Sequence, residues 1–294
     1  VLTHLVQTSA HAYLLFFTNR GRVYRLRAHR VPMLDRTARG TAIVNLLELD
    51  ADEEVEAIID TRDYETNRFL FFCTKGGTVK KTNFTEYDKN LKGGFIALGL
   101  KDGDELVRVI PTNTGDDLFV TSARGQTIRF SEDEVRPMGR TAAGVRGLKL
   151  REGDYVVGCD VVREDGFLLV MSERGFGKRT EPHHFGTKGR GGLGMRSMKV
   201  NEERGEVVGA LVVDEGDDIF VINSSGVVIR TRVSEISIQG RDATGVRIMN
   251  LDEGDVVAAI APAPASEDDL IDSEETDAEA ASVAEDGPTD EAEA

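Results

Sequence analysis

FLFFCTKGGTVKK, at residues 69–81, carries the pattern from which the fold of this chain can be inferred. It combines an apolar strand, a polar turn with glycine, and a second strand that ends in basic residues. The same phrase occurs at residues 14–25, 117–129, 167–179 and 218–230. The turn glycines, spaced 49 to 55 residues apart, are Gly21, Gly76, Gly125, Gly175 and Gly226. A period near 50 with short strands is typical of a propeller-like array.

Each unit continues with a basic loop that ends in glycine and leads into a short alternating strand, as in GRTAAGVRGLKL at residues 139–150. An acidic turn and a fourth apolar strand follow. The closing glycines are Gly40, Gly94, Gly144, Gly194 and Gly245. Alternating patterns of this kind predict half-buried strands. We therefore expect an all-β protein.

The segment HLVQTSAH, at residues 4–11, reads as the closing strand of a further, truncated unit. Five full units and this remnant predict a six-bladed, propeller-like ring. The N-terminal segment should then share a blade with residues near the C-terminal end of the repeats. The hairpin and glycine loop of the truncated unit are expected to precede Val1.

The net charge of −16 is concentrated at the C-terminus. Residues 266–294 contain 13 of the 52 acidic residues and no lysine or arginine, which leaves 39 acidic and 36 basic residues in the body. A segment so poor in large apolar residues cannot offset its ordering entropy. The composition predicts a β domain at residues 1–262 and a disordered acidic tail at 263–294. Two cysteines within apolar strands and no long apolar run favour a reduced, cytoplasmic protein without a membrane span.

Basic residues recur at equivalent places in the units, beside glycines that let a phosphate approach the backbone. The hairpin strands supply Arg22, Arg25, Lys80, Lys81, Arg129, Lys178, Arg179, Arg230 and Arg232. The glycine loops supply Arg36, Arg39, Lys89, Lys92, Arg140, Lys188, Arg190 and Arg241. One cluster of cations on each blade predicts a belt that a bent DNA duplex can follow. Ordinary solvated charge on loop tips is the competing interpretation of any single cluster.

Other kinds of site have weaker support in the sequence. Residues 189–194 fit G-x-G-x-x-G, but a strand pattern follows where a dinucleotide site needs a helix. A metal site would need further ligands beside His183 and His184, and a pair of this kind is usually a surface feature, so no metal site is predicted. No recurring nucleophile and base surround a plausible pocket, and no catalytic residue or bound cofactor is expected in this chain.

Several unlike segments together resemble the C-terminal domain of the A-type subunit of DNA gyrase. They are DRTARGTAIVNLL (residues 35–47), GGTVKKT (76–82), RPMGRTAAGVRGLKL (136–150) and VIRTRVSEISIQGRDATGVR (228–247). The likeness covers roughly residues 1–262, and the acidic tail is also similar to that of the family. It implies a six-bladed β-pinwheel that wraps duplex DNA around its rim.

The family's seven-residue box, Q-R-R-G-G-K-G, belongs in the glycine loop of the first blade and is absent from this sequence. A box-like loop lies in a later unit. It comprises Lys188, Gly189, Arg190, Gly191, Gly192, Leu193 and Gly194. Leu193 stands where the box has a basic residue.

The resemblance also implies partners. The rest of the gyrase A-type subunit, the gyrase B-type subunit and DNA would join this domain in a nucleoid-associated enzyme that supercoils DNA negatively, with ATP and Mg bound elsewhere. The DNA-cleaving tyrosine of the family belongs to another domain. Two alternatives remain open: the matching domain of the topoisomerase IV A-type subunit, and a protein-binding propeller. The second predicts aromatic contact residues, and the chain has no tryptophan.

Overall fold

The structure, a computed structural model, describes residues 6, 8–34, 38, 40–62, 66–89 and 93–263. These residues form five antiparallel sheets, or blades, and the regular helices among them are short 3-10 turns, so the all-β prediction is confirmed. The predicted domain boundary at residue 262 lies one residue before the end of the last strand, Ala263. The acidic tail beyond it lies outside the described residues.

Each blade is built on one of the five hairpins. The hairpin strands are β1 (Tyr13–Thr18) and β2 (Arg22–Arg27), β4 (Phe69–Thr74) and β5 (Thr78–Asn83), β8 (Asp117–Ser122) and β9 (Gln126–Ser131), β12 (Phe167–Ser172) and β13 (Phe176–Thr180), and β16 (Asp218–Asn223) and β17 (Val228–Arg232). An inner strand pairs with the first strand of each hairpin. The inner strands are β3 (Val55–Asp60), β7 (Leu106–Thr112), β11 (Val156–Val161), β15 (Val207–Val213) and β19 (Val257–Ala263).

A two-residue rim strand completes the outer edge of each of the first four blades, and it comes from the following repeat. The rim strands are β6 (Phe95–Ile96), β10 (Val145–Arg146), β14 (Met195–Arg196) and β18 (Val246–Arg247), which pair with β2, β5, β9 and β13 in turn. Neighbouring blades are thus joined by strand exchange. Sequence periodicity could not show this, because it assigns every strand to its own repeat.

The remaining regular elements are 3-10 turns of three or four residues. They span Ala28–Arg30, Ile43–Asn45, Phe84–Tyr87, Glu132–Glu134, Pro182–His184 and Val233–Glu235.

Apolar side chains fill the spaces between consecutive blades. In β4, Leu70 and Phe72 pack against blade 1, while Phe71 and Cys73 pack against blade 3. All six residues of β4 are buried because both faces of the strand are covered. This explains the continuous apolar run of the first hairpin strands.

The turn glycine of each of the first four hairpins lies against the exchanged strand. In blade 2 it is Gly77, with φ of 79°, rather than Gly76. A Cβ at Gly77 would lie 2.6 Å from the carbonyl oxygen of Leu148, just beyond rim strand β10. The Gly77 carbonyl accepts hydrogen bonds from the Gly147 and Leu148 amides at 2.9 and 3.2 Å. Glycine therefore permits both the turn and the close approach of the exchanged strand.

The prediction of six blades is wrong for the described chain, which forms five. A blade requires a hairpin, and the predicted strand at residues 4–11 joins no sheet in its described part. Thr8 instead donates a 2.6 Å hydrogen bond to Asp60 at the end of β3. The predicted blade shared between the two chain ends is not seen among the described residues, where blade 5 contains only β17, β16 and β19. Residues 1–5 and 7, on which that prediction also rests, lie outside the described residues.

Blade 5 therefore lacks a rim strand among the described residues. Its turn glycine, Gly226, has open space where a Cβ would point, unlike Gly21, Gly77, Gly125 and Gly175. Val227 and Val228 next to it are 52% and 42% exposed. Within the described part of the chain, the outer edge of β17 is consequently an unpaired sheet edge.

A cavity of about 300 Å³ lies where the inner strands converge. Aliphatic residues of β3, β7, β15 and β19 line it together with Glu56 and Arg108. Burial, followed by the neighbouring Glu54 and Glu105 carboxylates, raises the pKa of Glu56 to about 7. The described lining contains no nucleophile and base pair of the kind a central-channel enzyme would need.

Candidate nucleic-acid interface

The glycine loops and rim strands of consecutive repeats lie side by side along the outer edge of the blades. The Lys149 amide donates to the Gly192 carbonyl at 2.8 Å, and the Gly191 amide donates to the Gly147 carbonyl. The glycine loop thereby rests on the rim strand of the repeat before it. The result is an outer surface that passes from blade to blade.

An arginine four residues before the closing glycine strengthens this lateral contact in three repeats. The Arg140 guanidinium donates to the Ile96 carbonyl, and that of Arg190 donates to the Arg146 carbonyl at 3.0 Å. Arg241 repeats the contact with the Arg196 carbonyl at 3.5 Å. These three predicted site residues therefore order neighbouring rim strands while remaining partly accessible.

Exposed cations follow at fixed places on the rim strands themselves. Arg146, Arg196 and Arg247 occupy the second residue of β10, β14 and β18, and all three are exposed. Lys149 and Lys199, three residues further on, are exposed as well. None of these five residues was among the predicted site residues, although an arginine two residues after the closing glycine recurs in three repeats and was a usable signal.

The box-like loop lies on blade 3. Lys188 is exposed, and its amide donates to the Arg129 carbonyl at 2.9 Å. The Arg190 amide donates to the Glu134 carboxylate, and its Nε donates to the Glu134 carbonyl at 3.1 Å. Gly191 and Gly194 have φ of 81° and 72°. The loop thus presents glycine-rich backbone beside two basic residues on the rim.

A second group of predicted site residues faces acidic partners within the protein. It holds one residue per hairpin at the same position, and each forms an ion pair. The pairs are Arg25 with Asp88, Lys81 with Glu132, Arg129 with Asp117 and Glu164, Arg179 with Glu215, and Arg230 with Asp218. Lys81 and Glu132 are both buried and 2.8 Å apart. Burial raises the pKa of Glu132, and Lys81 opposes that shift.

Lys80 and Lys178 are fully buried. The Lys80 ammonium donates to the carbonyls of Ala97 and Gly139 at 2.7 and 3.3 Å and also to that of Arg140. Lys178 donates to the carbonyls of Gly240 and Arg241. Together with Lys81 and Arg179, these side chains are held inside the protein and do not present a charge at its surface.

The other predicted residues occupy varied positions. Arg22 pairs with Asp50 at 2.9 Å and donates to the Gly93 carbonyl, while Lys89 pairs with Glu86 at 3.5 Å. Arg232 is exposed at the end of β17. Arg36, Arg39 and Lys92 lie outside the described residues.

Glu181, His183 and His184 bring three possible metal-ligand atoms within 4.8 Å of one another. Glu181 was not predicted from the sequence as a third group. Its carboxylate lies 3.9 and 3.8 Å from the two imidazoles, so it already forms their acidic partner. Both histidines are exposed, and nothing else in the described residues indicates an ion there.

Comparison with known proteins agrees with this repeat architecture. The family model for the DNA gyrase C-terminal domain, described as a beta-propeller, matches residues 12–62, 68–113, 116–163, 166–214 and 217–264. The chain belongs to this family. Each matched segment corresponds to one of the five observed hairpin units.

The chain is similar to curated A-type subunits of DNA gyrase. The chain is 41% identical over 284 residues to that subunit from Mycolicibacterium smegmatis, covering 96% of the chain and 34% of the relative. It is 43% identical over 284 residues to the same subunit from Salmonella typhimurium, covering 97% of the chain and 32% of the relative. The chain therefore spans about a third of the length of these relatives.

Solved structures of two kinds of topoisomerase domain are close to this fold. A DNA gyrase A C-terminal domain has a TM-score of 0.76 at 28% identity, covering 87% of this chain and 83% of that one. The C-terminal domain of DNA topoisomerase IV has a TM-score of 0.81 at 26% identity, covering 92% and 84%. No helix in the described part of the chain is long and apolar enough to cross a membrane.

Proposed function

We propose that this domain binds duplex DNA without sequence preference and bends it along the rim. One observation supports this proposal above all. Three rim strands, β10, β14 and β18, each have an exposed arginine as their second residue, namely Arg146, Arg196 and Arg247. Phosphates are bound by such cations and by accessible backbone amides, and neither reads base identity. A curved row of cations holds only a curved duplex.

In the whole protein, the domain would act as the C-terminal domain of the gyrase A-type subunit. Together with the rest of that subunit and the gyrase B-type subunit, it would direct ATP-driven strand passage in the bacterial cytoplasm toward negative supercoiling. The domain would wrap DNA, and other parts of the enzyme would cleave DNA and bind ATP and Mg. The family match and the gyrase relatives support this role.

The experiment uses the chain and random linear duplexes of about 40 base pairs with dyes at both ends. Affinity should be equal for unrelated sequences. The logarithm of the association constant should fall linearly with the logarithm of the salt concentration. The slope should be about −0.9 for each phosphate contacted, and so about −5 for several contacts. Energy transfer between the ends should rise on binding, because bending such a site costs only about 1–6 kcal/mol. A salt slope near zero, or unchanged end distance, would contradict the proposal.

A second candidate is the matching domain of topoisomerase IV, which the TM-score of 0.81 favours. The two roles differ in the reaction of the complete enzyme. With ATP, the gyrase role predicts negative supercoils in a relaxed plasmid, whereas the other role predicts relaxation and decatenation without them.

A further inference from the structure

Two buried lysines occupy one position of the hairpin in alternate blades. Lys80 in β5 and Lys178 in β13 are each 0% exposed. The same position holds Tyr24, Ile128 and Ile229 in the other hairpins. Lysine is seldom fully buried, because removing an ammonium ion from water is costly. Its presence at this position in two blades therefore calls for a specific role.

Both ammonium groups bind the glycine loop contributed by the next repeat. Lys80 donates to the Gly139 and Arg140 carbonyls, and Lys178 donates to the Gly240 and Arg241 carbonyls. These are the same two positions of the loop in different repeats. Lys80 also donates to the Ala97 carbonyl at 2.7 Å, next to rim strand β6. It therefore ties together the rim segments of two successive repeats.

The loop residue held by each lysine is the arginine that contacts the neighbouring rim strand. Arg140 reaches the Ile96 carbonyl, and Arg241 reaches the Arg196 carbonyl. The lysine thus fixes the backbone of this arginine from inside, while the arginine side chain fixes the adjacent strand from outside. The rim cations that follow, Arg146 and Arg247, stand on the same loop and depend on its position.

Charged groups at the rim contribute to the pKa values of the two lysines. Burial, followed by the Arg140 guanidinium, lowers the pKa of Lys80 to about 7. Burial lowers the pKa of Lys178 to about 8, with Asp242 raising it and Arg241 lowering it. The other groups that face Lys80 are the Phe72 ring, 5.0 Å away, and the Tyr87 hydroxyl, which shares the Ala97 carbonyl.

We propose that Lys80 and Lys178 are positioning residues for DNA, whose ammonium groups hold the rim loops in place and are themselves held more firmly when phosphate lies on those loops. This inference rests on the proposed DNA binding. A phosphate beside Arg140 or Arg241 offsets the repulsion between that guanidinium and the ammonium. Duplex binding should therefore draw protons onto the two lysines near neutral pH.

Loss of the proton removes the charge that a phosphate on the loop would stabilise. The neutral amine keeps two donors for the loop carbonyls but offers no charge for the phosphate to attract. If binding raises the pKa of Lys80 by about one unit from its value of about 7, affinity should be about tenfold higher well below pH 7 than well above pH 8. The rim arginines stay charged throughout this range, so direct phosphate contacts alone predict no such change.

The test is calorimetry of duplex binding at about pH 7.5 in phosphate and in Tris, whose ionisation enthalpies differ. The binding enthalpy should differ between the buffers by an amount that corresponds to proton uptake. The variant K80M/K178M should show no proton uptake and weaker binding at about pH 6.5. The matched control is K75M, which removes an exposed hairpin-turn lysine and should keep the proton uptake.

The proton uptake of the wild-type chain tests the inference even if the double variant fails to fold. In that case the single variants K80M and K178M replace it. Binding without proton uptake would overturn this inference and leave the DNA-binding proposal intact. Proton uptake that persists unchanged in the folded double variant would also overturn it. Absence of any duplex binding by the wild-type chain would refute the proposed function itself.

Discussion

Four basic residues of the hairpins and three of the rim have similar sequence surroundings and opposite environments. Lys80, Lys81, Lys178 and Arg179 are buried and bound to carbonyl oxygens or carboxylates. Arg146, Arg196 and Arg247 are exposed on the exchanged strands. Both groups recur with the repeat. A recurring cation is therefore a sign of structure as readily as of ligand binding, and its environment decides which.

The largest expected effect is on DNA affinity when the rim cations are removed. R146A/R196A/R247A should bind duplex on the order of a thousandfold more weakly at about 0.1 M salt, at roughly tenfold per lost phosphate contact. Its salt slope should be smaller by about 3. Fluorescence anisotropy over a salt series measures both.

The matched control is R30A/R68A/R163A, which removes three exposed cations that lie outside the rim strands and the glycine loops. It has the same net charge as the rim variant. Equal losses in the two variants would mean that net charge, rather than the rim, governs binding.

The hairpin ion pairs should affect stability instead. K81A leaves the buried Glu132 carboxylate without its partner, which should lower the free energy of unfolding by about 3 kcal/mol. The affinity of the folded fraction for duplex should stay unchanged. Chemical denaturation and anisotropy are the measurements. K81M/E132Q should recover much of the loss, and a loss of affinity in folded K81A would show that Lys81 contacts DNA.

The pH dependence of the free energy of unfolding should show the effect of the two buried lysines, which the exposed rim arginines do not share. Their folded pKa values, about 7 and about 8, lie below the unfolded value of 10.5, so the unfolded chain binds more protons between about pH 7 and 10. Stability should therefore rise with pH in this window, by up to about 1.4 kcal/mol per pH unit for each lysine. Thermal melts should show a wild-type Tm that rises relative to K80M/K178M from about pH 7 to 9. A constant difference between the two proteins would count against this sign.

The box-like loop should contribute more than a single rim loop. K188A/R190A should lower the affinity for duplex about tenfold, and R140A should lower it less. The glycines beside Lys188 and Arg190 let a phosphate approach the backbone, whereas the side chains of Ala142 and Ala143 restrict that approach near Arg140. Parallel salt titrations of the two variants measure this. Comparable losses would make the loop equivalent to its siblings.

The smallest effect concerns the acidic tail, which should compete with duplex for the rim cations and not for the hairpin cations. Ending the chain after Ala265 should tighten binding about threefold at low salt, since a flexible tether keeps the polyanion near the rim. The gain should vanish as salt screens both interactions. Unchanged affinity at low ionic strength would leave the tail with a solubilising role only.

The all-β class, the period and the hairpin units followed from the sequence, because alternation and turn glycines are local signals. The same signals identified the loop residues Arg140, Lys188 and Arg190. They could not show that each rim strand pairs with the preceding blade, since this pairing is a long-range strand exchange. The six-blade prediction had another cause, since the strand-like pattern at residues 4–11 resembles the remnant of a further unit. Arg146, Arg196 and Arg247 were missed although their recurrence two residues after the closing glycine is a local signal.

The exposure of each cation, by contrast, depends on tertiary packing. Lys80 and Arg146 each follow a valine in a strand, and the pattern alone treats them alike. Lys80 is buried because the next repeat's loop closes over it and supplies carbonyl acceptors. Arg146 is exposed because its two-residue strand forms the last edge of the sheet, where no further described strand covers it. Burial depends on what packs against a strand, and for Lys80 those acceptors lie 59 and 60 residues away in the sequence.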